Sequence, residues 1–500
     1  MIKTEIKEIE EFINALQEYL SEYVGYQIKL TLNENETEEL VAFDLHTYFH
    51  FSNPDFKKSV EKLANMSKQI IKKDDYSVDW EVFHKLKNKL SVSYVFGTCE
   101  DEKIEFQRLQ FLSDIIELSH RTYESINTTL GLIYSSAIEK RYIKEHYGFE
   151  IIEFESPISI KELFKEKPLL RVVDGEILNI LIDENLLAYG FAINKHVNEN
   201  FSEKIKNDFE KKRIFNNFKI AKRSIIENYE EILANKGDQI LIEKNSEDEK
   251  LFMYIVNLFK GGLKNANLSE DNNAHNLIYF KIDNRELNIY NHEECVVAFS
   301  KGQWRLKNYH FLQYLLIQHV LLRAHIFFMM MEPDKIGRNL QDLFDGITTL
   351  YNVIRKLSSE NTSSIIMFVP NEVDNLNSYS EIDELEAKNL LGTVPLKEIQ
   401  HNSIYLNLIK DNGKHLNVRN ISENYLSMLC SIDGALVLDY KLNILTYGAI
   451  IDTSFEKSSS QTYGTGTNAC EYASKDSLAI KISEDGDIKV YQSGKNVLNI

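Results

Sequence analysis

Proline, paired cysteine, positive charge and unbroken apolar runs are all scarce in this chain. Six prolines in 500 residues leave little room for Pro-rich linkers or disordered spacers. The four cysteines, Cys99, Cys295, Cys430 and Cys470, are far apart and make no CxxC pair, so zinc-ribbon and redox chemistry have no support and reduced, buried thiols are expected. Lysine and arginine total 57 against 76 acidic residues, a formal charge of −19. A field of that sign repels phosphodiester backbones and anionic bilayers, which excludes general nucleic-acid coating and membrane-surface binding. A small anionic ligand stays allowed, because one pocket can be positive on a negative molecule. The most apolar stretch, Phe311 to Met331, is broken by Gln313, Gln318, His319, Arg323 and His325, so a buried helix is expected there rather than a membrane span. The start, MIKTEIKEIEEF, carries charge where an export signal has its apolar core, and the cytoplasm is the expected compartment. Walker, GxSxG and kinase motifs are missing as well.

What is present reads as a mixed α/β (α+β) chain in three parts. Residues 1–150 read as a mostly helical domain. Apolar residues recur at helical spacing over 4–24, 55–73 and 101–146, with strands at 26–32 and 39–51. The stretch 101–146, with Gly131 its only glycine and no proline, predicts one long helix or a helical hairpin. Its apolar face needs a partner, in the fold or in a second copy, so a homo-oligomer is allowed. Residues 151–290 read as an α/β middle domain with strands at 150–154, 177–183 and 186–194, a turn at Asp183-Glu184-Asn185, and helical sequence over 202–234. Residues 291–500 read as a mixed β-sheet flanked by helices. HTYFH at 46–50 lacks the glutamate of a zinc helix and reads as strand. SKGQWR at 300–305 reads as a turn beside a buried Trp304, with a basic-aromatic contact to a base as the alternative.

One echo runs through the chain. Residues 174–193 and 433–450 both start at Asp-Gly and reach Tyr-Gly about fifteen residues later. Two similar hairpins is the simpler account; a diverged duplication of one nucleotide-binding half is the sharper one.

Three features stand in order at the C-terminus. Asp433-Gly434-Ala435 opens a strand: the glycine lets a ligand approach the backbone, and the aspartate suits a divalent cation. Next comes a small-residue loop, Gly464-Thr465-Gly466-Thr467-Asn468, with a short helix opening near Thr467 and Asn468. Backbone amides at such a loop bind phosphate, although an ordinary N-cap would look the same. Last, Ser483-Glu484-Asp485-Gly486 sits between alternating strands as a type I′ hairpin signal, with carboxylates that could face a metal or merely serve the turn.

In that order and spacing, these motifs resemble the diadenylate cyclase domain of bacteria over about 70 residues, and more loosely back to about 330. The resemblance implies a nucleotide contacted by Asp433, Gly434, Ala435, Gly464, Thr465, Gly466, Thr467, Asn468 and Ser483. It also implies Mg²⁺ or Mn²⁺ held by Asp433 with Glu484 or Asp485. The family's Arg-His-Arg is here Gly466-Thr467-Asn468, and no arginine follows Arg419. Catalytic residues are therefore expected to be lacking, with Lys475, Lys481, Arg338, Arg355 or Arg419 as candidate stand-ins. The chain looks most like degenerate relatives of the domain, which are thought to sense nucleotide messengers in bacterial signalling and defence; an active nucleotidyl cyclase with altered residues and a non-enzymatic interaction scaffold are the alternative readings. A nucleotide or cyclic nucleotide is the expected partner.

Overall fold

A computed structural model describes residues 2–33, 42–47, 80–194, 277–320 and 333–500, with short interruptions, the longest at 370–383 and 453–464. The fold is mixed α/β, with helices prominent in the N-terminal part and two large mixed sheets. Two compact units are present, one within Met1–Asn217 and Glu270–Asn308, the other holding Tyr309–Ile500.

In the first unit, α1 (Ile2–Val24), α2 (Trp80–Phe96) and α3 (Glu102–Ser119) accompany a two-stranded sheet of β1 (Ile28–Asn33) and β2 (Ala42–Thr47). The main sheet has eight strands: β3 (Leu130–Tyr134), β4 (Phe149–Ile158), β5 (Leu178–Ile182), β6 (Ala188–Asn194), β7 (Ile278–Asp283), β8 (Glu286–Tyr290), β9 (Val296–Ser300) and β10 (Gln303–Lys307). Their spatial order is β4-β6-β5-β3-β7-β8-β9-β10, with strands from both sides of residues 150 and 290. Phe96 of α2 and Phe111 of α3 meet Phe280 at ring separations of 6.2 and 5.5 Å, so these helices cover one face of the sheet.

The helix expected over 101–146 ends at Ser119. Asp101 caps its start by accepting from the Lys103 and Ile104 amides, and Leu130–Tyr134 is a central strand. Leu130, Leu132 and Ile133 are all fully buried. A strand buried on both faces is an apolar run without alternation, which periodicity alone does not separate from a buried helix. Near the end of the unit, Lys301 and Gly302 make the β9–β10 turn, while Trp304 packs on Phe299 and donates to Asn88 at 3.3 Å. His50 and the helical sequence expected over 55–73 and 202–234 lie outside the described residues, as does Cys295.

In the second unit, α4 (Pro333–Ser359) leads into β11 (Ser364–Phe368). There follow α5 (Glu384–Leu391), β12 (Leu396–Glu398), α6 (Glu423–Cys430), β13 (Ala435–Leu438), β14 (Ile444–Ile451), α7 (Thr465–Ala473), β15 (Leu478–Ile482), β16 (Ile488–Gln492) and β17 (Lys495–Asn499). The order is β12-β14-β13-β11-β15-β16-β17. Ile366, Met367 and Phe368 of β11 are fully buried, each contributing about 1.5–3 kcal/mol. The Ser364 hydroxyl donates to the Cys430 carbonyl at 2.7 Å, which places α6 on that face, while α7 packs on the other. Of the apolar stretch from Phe311, the described residues through 320 are helical. No helix among the described residues is long and apolar enough to cross a membrane. Cys430 and Cys470 are buried thiols pushed up to about 12 by desolvation, whereas Cys99 is only half-buried.

Asp439 organises the β13–β14 turn. One carboxylate oxygen accepts the Lys441 and Asn443 amides at 2.9 and 2.7 Å, and the other accepts the Asn443 side chain at 2.9 Å. Burial outweighs these bonds and pushes its pKa up from 3.8 to about 6. Between those values the folded state holds a proton that the unfolded chain has lost. Stability therefore falls as pH rises from about 4 to about 6, by on the order of 3 kcal/mol, and this contribution is level on either side. Asp439→Asn is expected to remove that part of the slope in denaturant titrations across this window. An unchanged slope would rule out Asp439 as its source.

Candidate functional site

Register through the central strand brings the C-terminal motifs to one end of the sheet. β11 runs parallel to β13, with Ile365 opposite Ala435, and antiparallel to β15, with Ile365 opposite Lys481. Ala435, Ile365 and Lys481 thus form one row. Two steps nearer the end, Asp433 and Ser483 flank Ser363. Strand spacing puts their backbones roughly 10 Å apart, with β11 between them.

The start of α7 lies over this row. A Cβ added at Gly466 would stand 3.4 Å from Lys481 Cε, 3.6 Å from Lys481 Nζ and 3.6 Å from Ile365 Cδ1. Lys481 Nζ donates to the Thr467 hydroxyl at 2.9 Å. Farther along, Cys470 and Ala473 are buried with Ala435, Val437 and Ala479. The helix begins at Thr465, two residues earlier than its cap residues suggested, so Thr467 and Asn468 lie inside the first turn. Both are half-buried, as is Gly466; Gly464 lies outside the described residues.

Lys481 is the stand-in that reaches this place. Lys475 sits at the far end of α7, with its ammonium 4.4 Å from the Tyr472 ring centre. Arg355 stacks over Tyr309 and Tyr351, and Arg419 pairs with Asp342. The Arg338 side chain lies outside the described residues. One signal for Lys481 was present in the sequence. LAIKI is a central strand with burial throughout except at its lysine, which alternation puts on the same face as Ala479, under a helix of small residues.

Asp433 is exposed, and Gly434 follows it with a left-handed φ of +106°. A side chain at 434 would strike the Gly448 backbone at 2.5 Å. Glu484 and Asp485 are exposed in the β15–β16 loop, which spans the five residues between the paired Ile482 and Ile488. Only Gly486 in this loop has positive φ, so it is a wider turn than the two-residue type I′ expected, which needs two such residues. The loop is anchored to the end of α4, where the Ser358 hydroxyl donates to the Gly486 carbonyl.

No group of three or more His, Cys, Asp or Glu residues that could hold a metal ion occurs among the described residues. β11 separates Asp433 from Glu484 and Asp485, so the carboxylates expected to hold a metal do not form such a group.

Neither the known protein families nor the curated proteins include a match to this chain. Among solved structures, a double mutant of DacA from Staphylococcus aureus is similar at 18% identity. The match covers 32% of this chain and 89% of that one, with a TM-score of 0.21. A hypothetical membrane spanning protein from Bacillus cereus is similar at 13% identity, covering 38% of this chain and 94% of that one, with a TM-score of 0.19. Similarity at that level carries no functional meaning for this chain.

The loop anchor is testable. Gly486 has a φ of +81°, and a Cβ there would meet the Ser358 carbonyl oxygen at 2.6 Å. Gly486→Ala is expected to cost about 2 kcal/mol or more from backbone strain and this contact, measured by denaturant unfolding. A loss under about 0.5 kcal/mol would show the loop to be loosely held.

Proposed function

We propose that the C-terminal unit binds the phosphates of a nucleotide or cyclic nucleotide at the corner between Asp433-Gly434 and the start of α7, and that the chain senses this ligand rather than making it. The observation that carries this is Lys481: its ammonium lies at the first turn of a nine-residue helix, beside Gly466. Free amides at the helix start and one cation beside them are what a phosphate needs. Mg²⁺ or Mn²⁺ at Asp433 and Glu484 or Asp485 would neutralise further phosphate charge when bound. The side chains of Thr467, Asn468 and Ser483 supply neutral polar groups around it.

Magnitudes separate binding from turnover. A preorganised donor on developing charge is worth about 3–4 kcal/mol in rate, so losing two arginines costs roughly four to six orders of magnitude. A helix start returns only about 0.3–2 kcal/mol, and Lys481 returns one charge of the two. Ground-state binding survives that loss; cyclisation does not. Placement in bacterial nucleotide signalling or defence follows from the motif resemblance.

Two measurements test this reading. Titrating the full chain with ATP and with cyclic di-adenosine monophosphate in Mg²⁺ is expected to show saturable binding to at least one of them. Asp433→Ala, Lys481→Ala and Gly466→Glu should each weaken it at least tenfold. The Gly466 change does so by placing a carboxylate beside Lys481. Wild-type affinity in all three folded variants would sink the assignment. Separately, incubation with ATP and Mg²⁺ or Mn²⁺ is expected to give no cyclic product by mass spectrometry beyond an Asp433→Asn control. Metal-dependent turnover above that control would make the chain an enzyme.

A further inference from the structure

The two sheets share one topology. In chain order, β3 to β9 take the spatial order β4-β6-β5-β3-β7-β8-β9, and β11 to β17 take β12-β14-β13-β11-β15-β16-β17. In each, the central pair is parallel (β3 with β5, β11 with β13). Every other pairing in the two sets is antiparallel. The turns of the Asp-Gly hairpins agree in their backbone hydrogen bonds. Asp183 accepts the amides of Asn185 and Leu187, as Asp439 accepts those of Lys441 and Asn443. The third residue of each turn, Leu186 or Leu442, has a left-handed φ of 62° or 66°, rare for leucine. The registers then equate the row Ala435–Ile365–Lys481 with Asn179–Gly131–Lys281.

We propose that the chain carries one fold twice, and that the first copy's ligand corner is filled by its own residues Glu176, Lys281 and Asn179, leaving the second copy's corner as the open one. That the open corner takes a phosphorylated nucleotide rests on the function proposed above. That the first is closed does not.

The plug is a short extension. Three more residues lie between Asp174 and Asp183 than between Asp433 and Asp439. They fold into a tight loop: one Asp174 oxygen accepts the amides of Glu176, Ile177 and Leu178 at 2.8, 2.8 and 3.1 Å. The Gly175 amide donates to the Leu178 carbonyl at 3.1 Å. The loop lies so close to β3 that a Cβ at Gly131 would stand 2.6 Å from Gly175 Cα and 1.9 Å from Asn179 Oδ1. In the second copy Ile365 and the start of α7 lie over the row; in the first, the Asp-Gly loop lies against it.

Lys281 Nζ donates to Glu176 Oε1 at 2.9 Å and to the Asp174 carbonyl at 3.4 Å, and its side chain is only 6% exposed. Tyr279 closes the other flank by donating to the Gly175 carbonyl at 3.2 Å. A phosphate here would have to displace a carboxylate already bonded to the lysine and then force the loop off β3. Among the described residues Lys481 has no such carboxylate bond: the neutral Thr467 hydroxyl accepts its hydrogen bond.

Amine footprinting of the full chain tests this without a ligand. With an N-hydroxysuccinimide acetate reagent and peptide mass spectrometry, Lys481 is expected to acetylate at least tenfold faster than Lys281. Glu176→Gln should raise the Lys281 rate several-fold and leave Lys481 unchanged. Equal rates at the two lysines in the wild-type chain overturn the closed corner. Saturating Mg-ATP or cyclic di-adenosine monophosphate should then slow acetylation of Lys481 alone. Protection of Lys281 also overturns the closed corner, whereas protection of neither removes the nucleotide reading and leaves the closure standing.

Discussion

A lysine on a central strand is the constraint around which both halves are arranged. Lys281 and Lys481 stand at equivalent points of the register, each opposite the middle strand of its sheet and each within two residues of a strand end. A central strand is where apolar burial is densest, and an ammonium there needs water, a hydrogen-bond acceptor or a counter-charge. The two copies answer that need differently. In the first, an extended loop brings a half-buried carboxylate to the lysine, and the lysine is shut away. In the second, the loop is shorter, and a helix start with a threonine hydroxyl covers the lysine instead.

The remaining local chemistry follows from that difference. A carboxylate partner neutralises the cation and makes the corner unsuited to an anion. A hydroxyl partner does not neutralise the cation, and the amides of the helix start lie beside it, which is the local chemistry the proposed phosphate site relies on. The residue opposite each lysine matches its copy. Gly131 has no side chain because a loop and an amide occupy its space, whereas Ile365 fills the gap below α7. A single substitution at Lys481, Gly131 or Glu176 would therefore not convert one corner into the other, since loop length, strand residue and partner differ together.

Much of this was legible in the chain, and what escaped did so for physical reasons. The hairpins at Asp183 and Asp439 announced themselves, because turn residues between apolar runs have a local cause. The echo between the Asp-Gly segments was visible too, but a hairpin recurs in many folds. Its weight came only when five further strands fell into the same order, and strand order is a non-local property. Residues 130–134 misled because a fully buried strand loses the alternation that marks strands. The start of α7 was placed late because Thr467 looks like a cap, while its hydroxyl is taken by a lysine fourteen residues away. Lys481 stood among the candidate cations on sequence grounds, but only register sets it apart from Lys475, six residues earlier, which lies at the far end of the helix.

The exposed carboxylates bear on what kind of site the open corner is. Asp433, Glu484 and Asp485 are all solvent-facing, and β11 separates the first from the other two. In the site proposed above, exposed carboxylates at that spacing disfavour an anion unless a cation lies between them, whereas Lys481 and the α7 amides favour one a few residues deeper. Under that proposal the ligand is a phosphate that brings its own divalent ion, and a lone carboxylate or sulfate, which brings none, is the poorer fit. The anchoring of the Glu484–Gly486 loop to the end of α4 through Ser358 has a further consequence. Under the proposed function, a ligand that drew those carboxylates inward would also pull on the last turn of a 27-residue helix, which gives the proposed sensor a physical route to the rest of the C-terminal unit.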